Sequence, residues 1–227
     1  MKREFLITGD GSVTIRLPEW NEQYHSHHGA ITEADHVFIK HGLLSRLKRS
    51  PQSPLKILEV GFGTGLNALM TLLEAQRQNV SIHYHGIEAF PIDEQEYGKL
   101  NYAEKLGTTN ELFLSLHQAA WGADQTVDPC MSLFKEKVRL EDLRSDNHYD
   151  LIYFDAFGPR VQPEMWTPEV FSRLFEMTQI GGVLVTYSAK GSVRRGMQAA
   201  GYTVERLEGP PGKREMLRAT RSDSSRV

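Results

Sequence analysis

The chain has 227 residues, 40% of them hydrophobic, with a formal net charge of −3, which suits one α/β core with additions rather than several domains. Its single cysteine, Cys130, excludes an internal disulfide, and the start MKREFLITGDG lacks the apolar core of a secretory signal. No apolar run approaches the roughly 20 residues of a membrane span, so the expectation is a soluble protein of the reducing cytoplasm.

In chain order, EFLIT and SVTIRL flank Asp10-Gly11, a pair that supplies the positive φ angles of a tight hairpin. An aromatic and histidine-rich connector, WNEQYHSHHGA, follows, and then TEADHVFIKHGLLSRLK. There Thr32 is placed to cap a helix with Asp35 three residues on, and Val37, Phe38, His41, Leu44 and Leu47 recur at helical spacing. Residues 1–50 therefore read as a hairpin and helix appended to the core.

From Lys56 the strand and helix signals alternate. Strands are expected at 56–61, 81–89, 131–137, 149–154, 182–187, 202–207 and 215–219. Helices are expected at 66–76, 93–106, 111–120, 140–143, 168–178 and 192–200. This rhythm predicts a mainly parallel, seven-stranded sheet with helices on both faces over residues 51–221, followed by a disordered tail at 222–227. No internal repeat is present.

Glycines at alternate positions in Glu59-Val-Gly61-Phe-Gly63-Thr-Gly65-Leu-Asn67 follow a strand and open a helix. A dinucleotide fingerprint spaces its third glycine one residue later. The G-x-G-x-G spacing resembles motif I of class I methyltransferases and points to S-adenosylmethionine, with Glu59 to Asn67 on the cofactor side. A Cβ at these positions would block close approach of a ligand to the backbone. Glu88, at the end of the next strand, suits a ribose because a carboxylate there accepts from both hydroxyls. Glu141 or Asp142 falls where an adenine contact is often placed.

Asp155 ends the apolar run Tyr149–Phe154, at the carboxyl end of a parallel strand where ligands of such sheets bind. A fixed carboxylate there would stabilise the positive charge that develops on an amine as it takes up a methyl group. An ordinary Asp pKa near ~4 lies far below that of an amine, which favours proton loss to water over loss to Asp155. In the loop that follows, Phe157 and Trp166 are candidates for stacking on a planar base, and Glu164 for orienting the amine beside Asp155.

Lys190 to Val227 carry nine Lys/Arg against four Asp/Glu, while the preceding residues carry 17 against 25. The basic end is either a solvated tail or a phosphate-facing patch. The cluster Tyr24-His-Ser-His27-His28 has no accompanying set at a recognised ligand spacing, so no metal is expected.

The segments HGAITEADHVFI, ILEVGFGTGLNAL, GIEAFP, DLIYFDAFGPRVQPEMW, GGVLVTYSAKGSVRRGMQAAGY and GPPGKREML together resemble the methyltransferase domain of the bacterial tRNA enzymes that make 5-methylaminomethyl-2-thiouridine. The resemblance implies methylation of the 5-aminomethyl group of a wobble uridine, with S-adenosylmethionine as donor and the tRNA anticodon stem-loop as partner. It assigns Gly61, Gly63 and Gly65 to the cofactor loop, Glu88 to the ribose and Asp155 to catalysis, and it brings Tyr24 and Glu33 to the cofactor or amine. Lys190, Arg194, Arg195, Lys213 and Arg214 become candidates for the tRNA backbone. Many such enzymes also carry an FAD-dependent oxidoreductase. The end at Val227 leaves no room for one, so a separate enzyme is expected to supply the amine. The rival readings are a small-molecule amine methyltransferase, an aminopropyltransferase, and a non-catalytic S-adenosylmethionine-binding module.

Overall fold

The computed structural model describes residues 2–49, 53–144 and 148–223. The chain opens with β1 (Glu4–Ile7), β2 (Val13–Leu17) and β3 (Glu22–Gln23), an antiparallel sheet of its own. The β1–β2 loop turns over Gly9-Asp10-Gly11, closed by Thr8 N donating to Ser12 O at 2.8 Å. This is a three-residue loop rather than the two-residue turn the dipeptide suggests, with Gly11 at φ +80° supplying its left-handed position. A continuous helix follows as α1 (Ala30–Ala34), a π-helical stretch at Asp35–Leu44 and α2 (Ser45–Leu47). Thr32 does not cap it. Asp10 Oδ2 reaches over from the hairpin and accepts from Thr32 N at 2.9 Å, so the first turn is capped in trans.

The core then runs β4 (Leu55–Val60), α3 (Leu66–Gln78), β5 (Ile82–Ile87), α4 (Glu94–Tyr97), α5 (Tyr102–Leu106), α6 (Asn110–Gln118), β6 (Asp124–Asp128) and β7 (Met131–Glu136). It continues as β8 (Tyr149–Phe154), α7 (Pro168–Met177), β9 (Thr178–Thr186), α8 (Gly191–Ala199), β10 (Thr203–Glu208) and β11 (Glu215–Thr220).

Among the described residues the main sheet has eight strands in the order β10-β11-β9-β8-β4-β5-β7-β6, one more than the sequence pattern suggests. The extra strand is β6, a hairpin partner of β7 with mostly exposed residues; without apolar alternation it leaves no pattern to read. Strands β7, β5, β4, β8 and β9 are parallel, which is the Rossmann-like arrangement expected of the class. The single helix expected over 93–106 is two. Asn101 breaks it, its side chain donating to Gly11 O (3.0 Å) and accepting from Val13 N (2.8 Å), which ties the helix junction to the hairpin. The short helix expected at 140–143 is a turn, held by Asp142 N and Leu143 N donating to Arg139 O. Of the expected tail, 224–227 lie outside the described residues.

Alternate residues of β4 face opposite layers. Leu55 and Ile57 join the core under the N-terminal helix and α3, and Leu58 and Val60 join the core under α7 and α8. Gly42 lets the N-terminal helix lie close on the sheet, since a Cβ there would sit 3.1 Å from Val185 Cγ2 and 3.2 Å from Tyr153 Cε1.

Candidate active site

In a parallel sheet the loops leaving the carboxyl ends share one edge, and here they open a single cleft of about 740 Å³. Strand β4 delivers Gly61 and Gly63, β5 delivers Glu88, β7 leads to Arg139–Glu141, β8 delivers Asp155 and Phe157, and β9 delivers Tyr187, all of which line it. The N-terminal sheet roofs the cleft and is clamped on both sides. Arg3 donates to Phe90 O (3.0 Å) and pairs with Glu96 beyond β5, and Arg160 beyond β8 donates to Trp20 O, Asn21 O and Glu22.

The glycine loop borders the cleft through Gly61 and Gly63, at positions too crowded for a side chain. Gly61 holds φ +93°, and a Cβ there would be 2.7 Å from Asp155 O. A Cβ on Gly63 would be 3.2 Å from the Tyr24 ring. Gly65 serves packing instead: its Cβ would meet His117 Nε2 at 2.9 Å, and it does not line the cleft.

Glu88 accepts from Gly63 N (3.0 Å) through one oxygen and from Phe90 N (2.9 Å) through the other. Each oxygen keeps a lone pair for a further donor, which suits vicinal ribose hydroxyls. Asn67 also lines the cleft, and its Oδ1 is buried with no hydrogen-bond partner among the described residues, which leaves one acceptor over. With apolar walls at Ile87, Phe90 and Leu140, these residues fit S-adenosylmethionine.

Under this floor lies a carboxylate relay. Asn67 Nδ2 donates to Glu59 Oε1 and to Asp155 Oδ2, both at 2.9 Å, and Tyr84 OH donates to Glu59 Oε2 at 2.8 Å. Glu59 is fully buried, and burial holds its carboxyl well above the usual range. It anchors Asn67 rather than lining the cleft. Asp155 is pushed up to about 7, first by burial and then by the nearby Glu33, against the downward pull of Asn67 and Lys213. This differs from the ordinary value expected from the sequence, because the strand end sits below the cleft mouth.

Tyr24, Glu33, Phe157 and Glu164 line the cleft as expected, with the Tyr24 and Phe157 rings edge-on at 5.0 Å. Trp166 does not line it. Its ring is buried against Phe154 and Phe171, and Nε1 donates to Phe157 O at 2.8 Å, so it shapes the Phe157 loop from behind. Of the basic set, Lys190, Arg195 and Arg214 are exposed and Arg194 is half-buried. Lys213 turns into the cleft, where it pairs with Glu33 and lies 3.8 Å from the Tyr187 ring centroid. Arg3 and Tyr187 line the cleft without having been singled out in the sequence, and His25 of the histidine cluster lines it too. Arg3 and Tyr187 lie outside any motif, and only the tertiary fold brings them there. His25 sits in the histidine cluster, buried between Thr14 and Thr64.

This sheet order, glycine loop and cleft are those of an S-adenosylmethionine-dependent methyltransferase. A family profile described as S-adenosyl-L-methionine-dependent methyltransferase matches residues 126–222. The chain is 30% identical over 210 residues to the tRNA 5-methylaminomethyl-2-thiouridine biosynthesis bifunctional protein MnmC of Hydrogenovibrio crunogenus, covering 87% of this chain and 31% of that protein. It is 32% identical over 229 residues to the protein of the same name from Leptospira borgpetersenii, covering 93% and 34%. The crystal structure of MNMC2 from Aquifex aeolicus superposes with a TM-score of 0.76 at 26% identity, covering 96% of this chain and 70% of that one. The chain belongs to the family of the methyltransferase domain of these bifunctional proteins, and it spans about a third of the length of the curated relatives it matches.

Proposed function

We propose that the chain methylates the nitrogen of the 5-aminomethyl group on a wobble uridine or 2-thiouridine of tRNA, giving the 5-methylaminomethyl nucleoside. The observation that supports this reading is Asp155, a carboxylate raised to about 7 that lines the cleft beside the glycine loop.

S-adenosylmethionine, when bound, supplies a methyl group on a sulfonium. Gly61 and Gly63 would give it backbone to lie on and Glu88 would hold its ribose, with the Tyr24 ring packed over Gly63. Asp155, fixed by Asn67, accepts a hydrogen bond from the acceptor ammonium and takes one proton, which leaves a neutral amine to attack. A carboxyl near 7 is far better matched to that transfer than one near ~4. Glu164, at the mouth, is placed to orient the aminomethyl arm, and Phe157 to stack on the uracil. Lys190 and Arg214 lie within three residues of the cleft-lining Tyr187 and Lys213, and with the exposed Arg195 they supply cations for the anticodon backbone. Formation of the amine is assigned to a separate enzyme, since methyl transfer neither makes nor exposes one.

The test is incubation with methyl-labelled S-adenosylmethionine and either tRNA carrying 5-aminomethyluridine or a panel of small primary amines. Label is expected in the tRNA. Label in the free amines and none in tRNA would replace this reading with that of a small-molecule methyltransferase.

A further inference from the structure

The Lys213 side chain lines the cleft and is 30% exposed. Its loop, residues 209–214, joins β10 to β11 at the same sheet edge as the carboxyl ends of the parallel strands. The loop is held by Gly209 N donating to Arg214 O (3.1 Å) and by Lys213 N donating to Pro210 O (2.9 Å). Gly212, at φ +84°, rests against His28, where a Cβ would fall 2.1 Å from the ring, so the loop is seated directly on the N-terminal roof. From there Lys213 pairs with the Glu33 carboxylate and presents its Nζ 3.8 Å from the Tyr187 ring centroid. Glu33 is itself 7% exposed and fixed by Ser26 N, which donates to its Oε2 at 2.8 Å. Tyr187 is fixed by its hydroxyl, which donates to Ala156 O at 2.9 Å, next to Asp155 in the chain.

A carboxylate on one side, an aromatic face on the other and a second carboxylate nearby make a receptor for a primary ammonium. We propose that Glu33 and Tyr187 form the ammonium-recognising subsite of the acceptor and that Lys213 fills it as an internal mimic, which the acceptor's own ammonium must displace. The inference rests on the amine-acceptor reading above and extends it. Discrimination against neutral groups comes from Glu33 and Tyr187. The displaced Lys213 leaves the cleft on the same loop as the exposed Arg214, where a polyanionic acceptor offers it phosphates and a small amine does not. Occupation by Lys213 thereby disfavours free amines.

The probe is methylammonium, with binding followed by NMR line broadening of its carbon-13 methyl signal. Lys213→Met and Lys213→Gln are expected to bind it at least about 10-fold more tightly than the wild type, because the internal competitor is gone. Adding Glu33→Gln to Lys213→Met should abolish the gain. In the wild type, methylammonium should shift the Lys213 Nζ resonance toward that of a solvent-exposed lysine, a readout that needs no variant to fold. Equal or weaker binding by both Lys213 variants, or an unmoved Lys213 signal at saturating probe, would overturn the proposal. Labelling of tRNA is read on the same preparations. Loss of the ammonium preference with labelling intact removes the subsite alone, whereas ammonium binding without labelled tRNA removes the acceptor alone.

Discussion

In the proposed reaction Asp155 is the residue on which the chemistry turns, and its protonation is expected to set the pH profile. Its pKa is raised to about 7, so the carboxylate that accepts a proton is present above that pH and lost below it. The account predicts that kcat/KM rises with pH through an inflection near 7. Asp155→Asn, which keeps the shape but not the charge, should lack that inflection, lose about 10²- to 10⁴-fold in kcat and still bind S-adenosylmethionine in calorimetry. Gly61→Ala should act on folding as well as binding: its Cβ would lie 2.7 Å from Asp155 O at a positive φ, so denaturant unfolding should show a loss of stability alongside any fall in cofactor affinity. At this scale the glycine loop, Glu88 and Asp155 are legible in the sequence, because each follows directly on a buried strand that fixes its place. The inward turn of Lys213 and the burial of Trp166 are not, since both depend on partners far along the chain, Glu33 for the first and the Phe154 and Phe171 rings for the second.

Among the elements, the N-terminal hairpin and the helix from Ala30 to Leu47 are coupled by Asp10. Its carboxylate accepts from Ser12 Oγ, Ser12 N and Thr8 Oγ1 in its own loop and from Thr32 N and Oγ1 in the helix, and these bonds hold its pKa below the usual range against the cost of burial. Asp10→Ala removes both a turn and a cap, and should cost about 1–2 kcal/mol in denaturant unfolding. A loss near zero would show that the hairpin and helix hold together without it. The same logic explains where periodicity misleads. A helix over 93–106 is consistent with its apolar spacing, yet Asn101 spends its side chain on the hairpin. Strand β6 carries no alternation because one face meets solvent and the other contributes little to the core. The long strands and helices, read from buried runs and amphipathic spacing, hold to within a few residues.

Across the whole molecule, the buried histidines give a titration signature. His25, His85 and His117 are each held down to about 4, chiefly by burial of the ring. Each contributes stability that is present above the unfolded value near ~6.5 and is lost as pH falls through about 4. Their imidazole signals should therefore stay in the neutral position down to about pH 5 in NMR titration, and an inflection near 6.5 at any of them would contradict the packing described. The charge asymmetry of the chain belongs to this scale as well. If Lys190, Arg195 and Arg214 meet tRNA phosphates, neutralising all three should weaken binding and lower the salt slope by about 2–3 in log–log terms. An unchanged slope would remove them from the interface.

In the proposed reaction this cleft places a methyl group on the 5-aminomethyl nitrogen of a tRNA uridine. The most direct measurement is mass spectrometry of nucleosides digested from tRNA bearing 5-aminomethyluridine, after incubation with the protein and deuterated-methyl S-adenosylmethionine. The account predicts a single new nucleoside, 5-methylaminomethyluridine or its 2-thio form, with the label on the side-chain nitrogen and absent when Asp155→Asn replaces the wild type. Label on a base carbon, a ribose oxygen or any other nucleoside would contradict it.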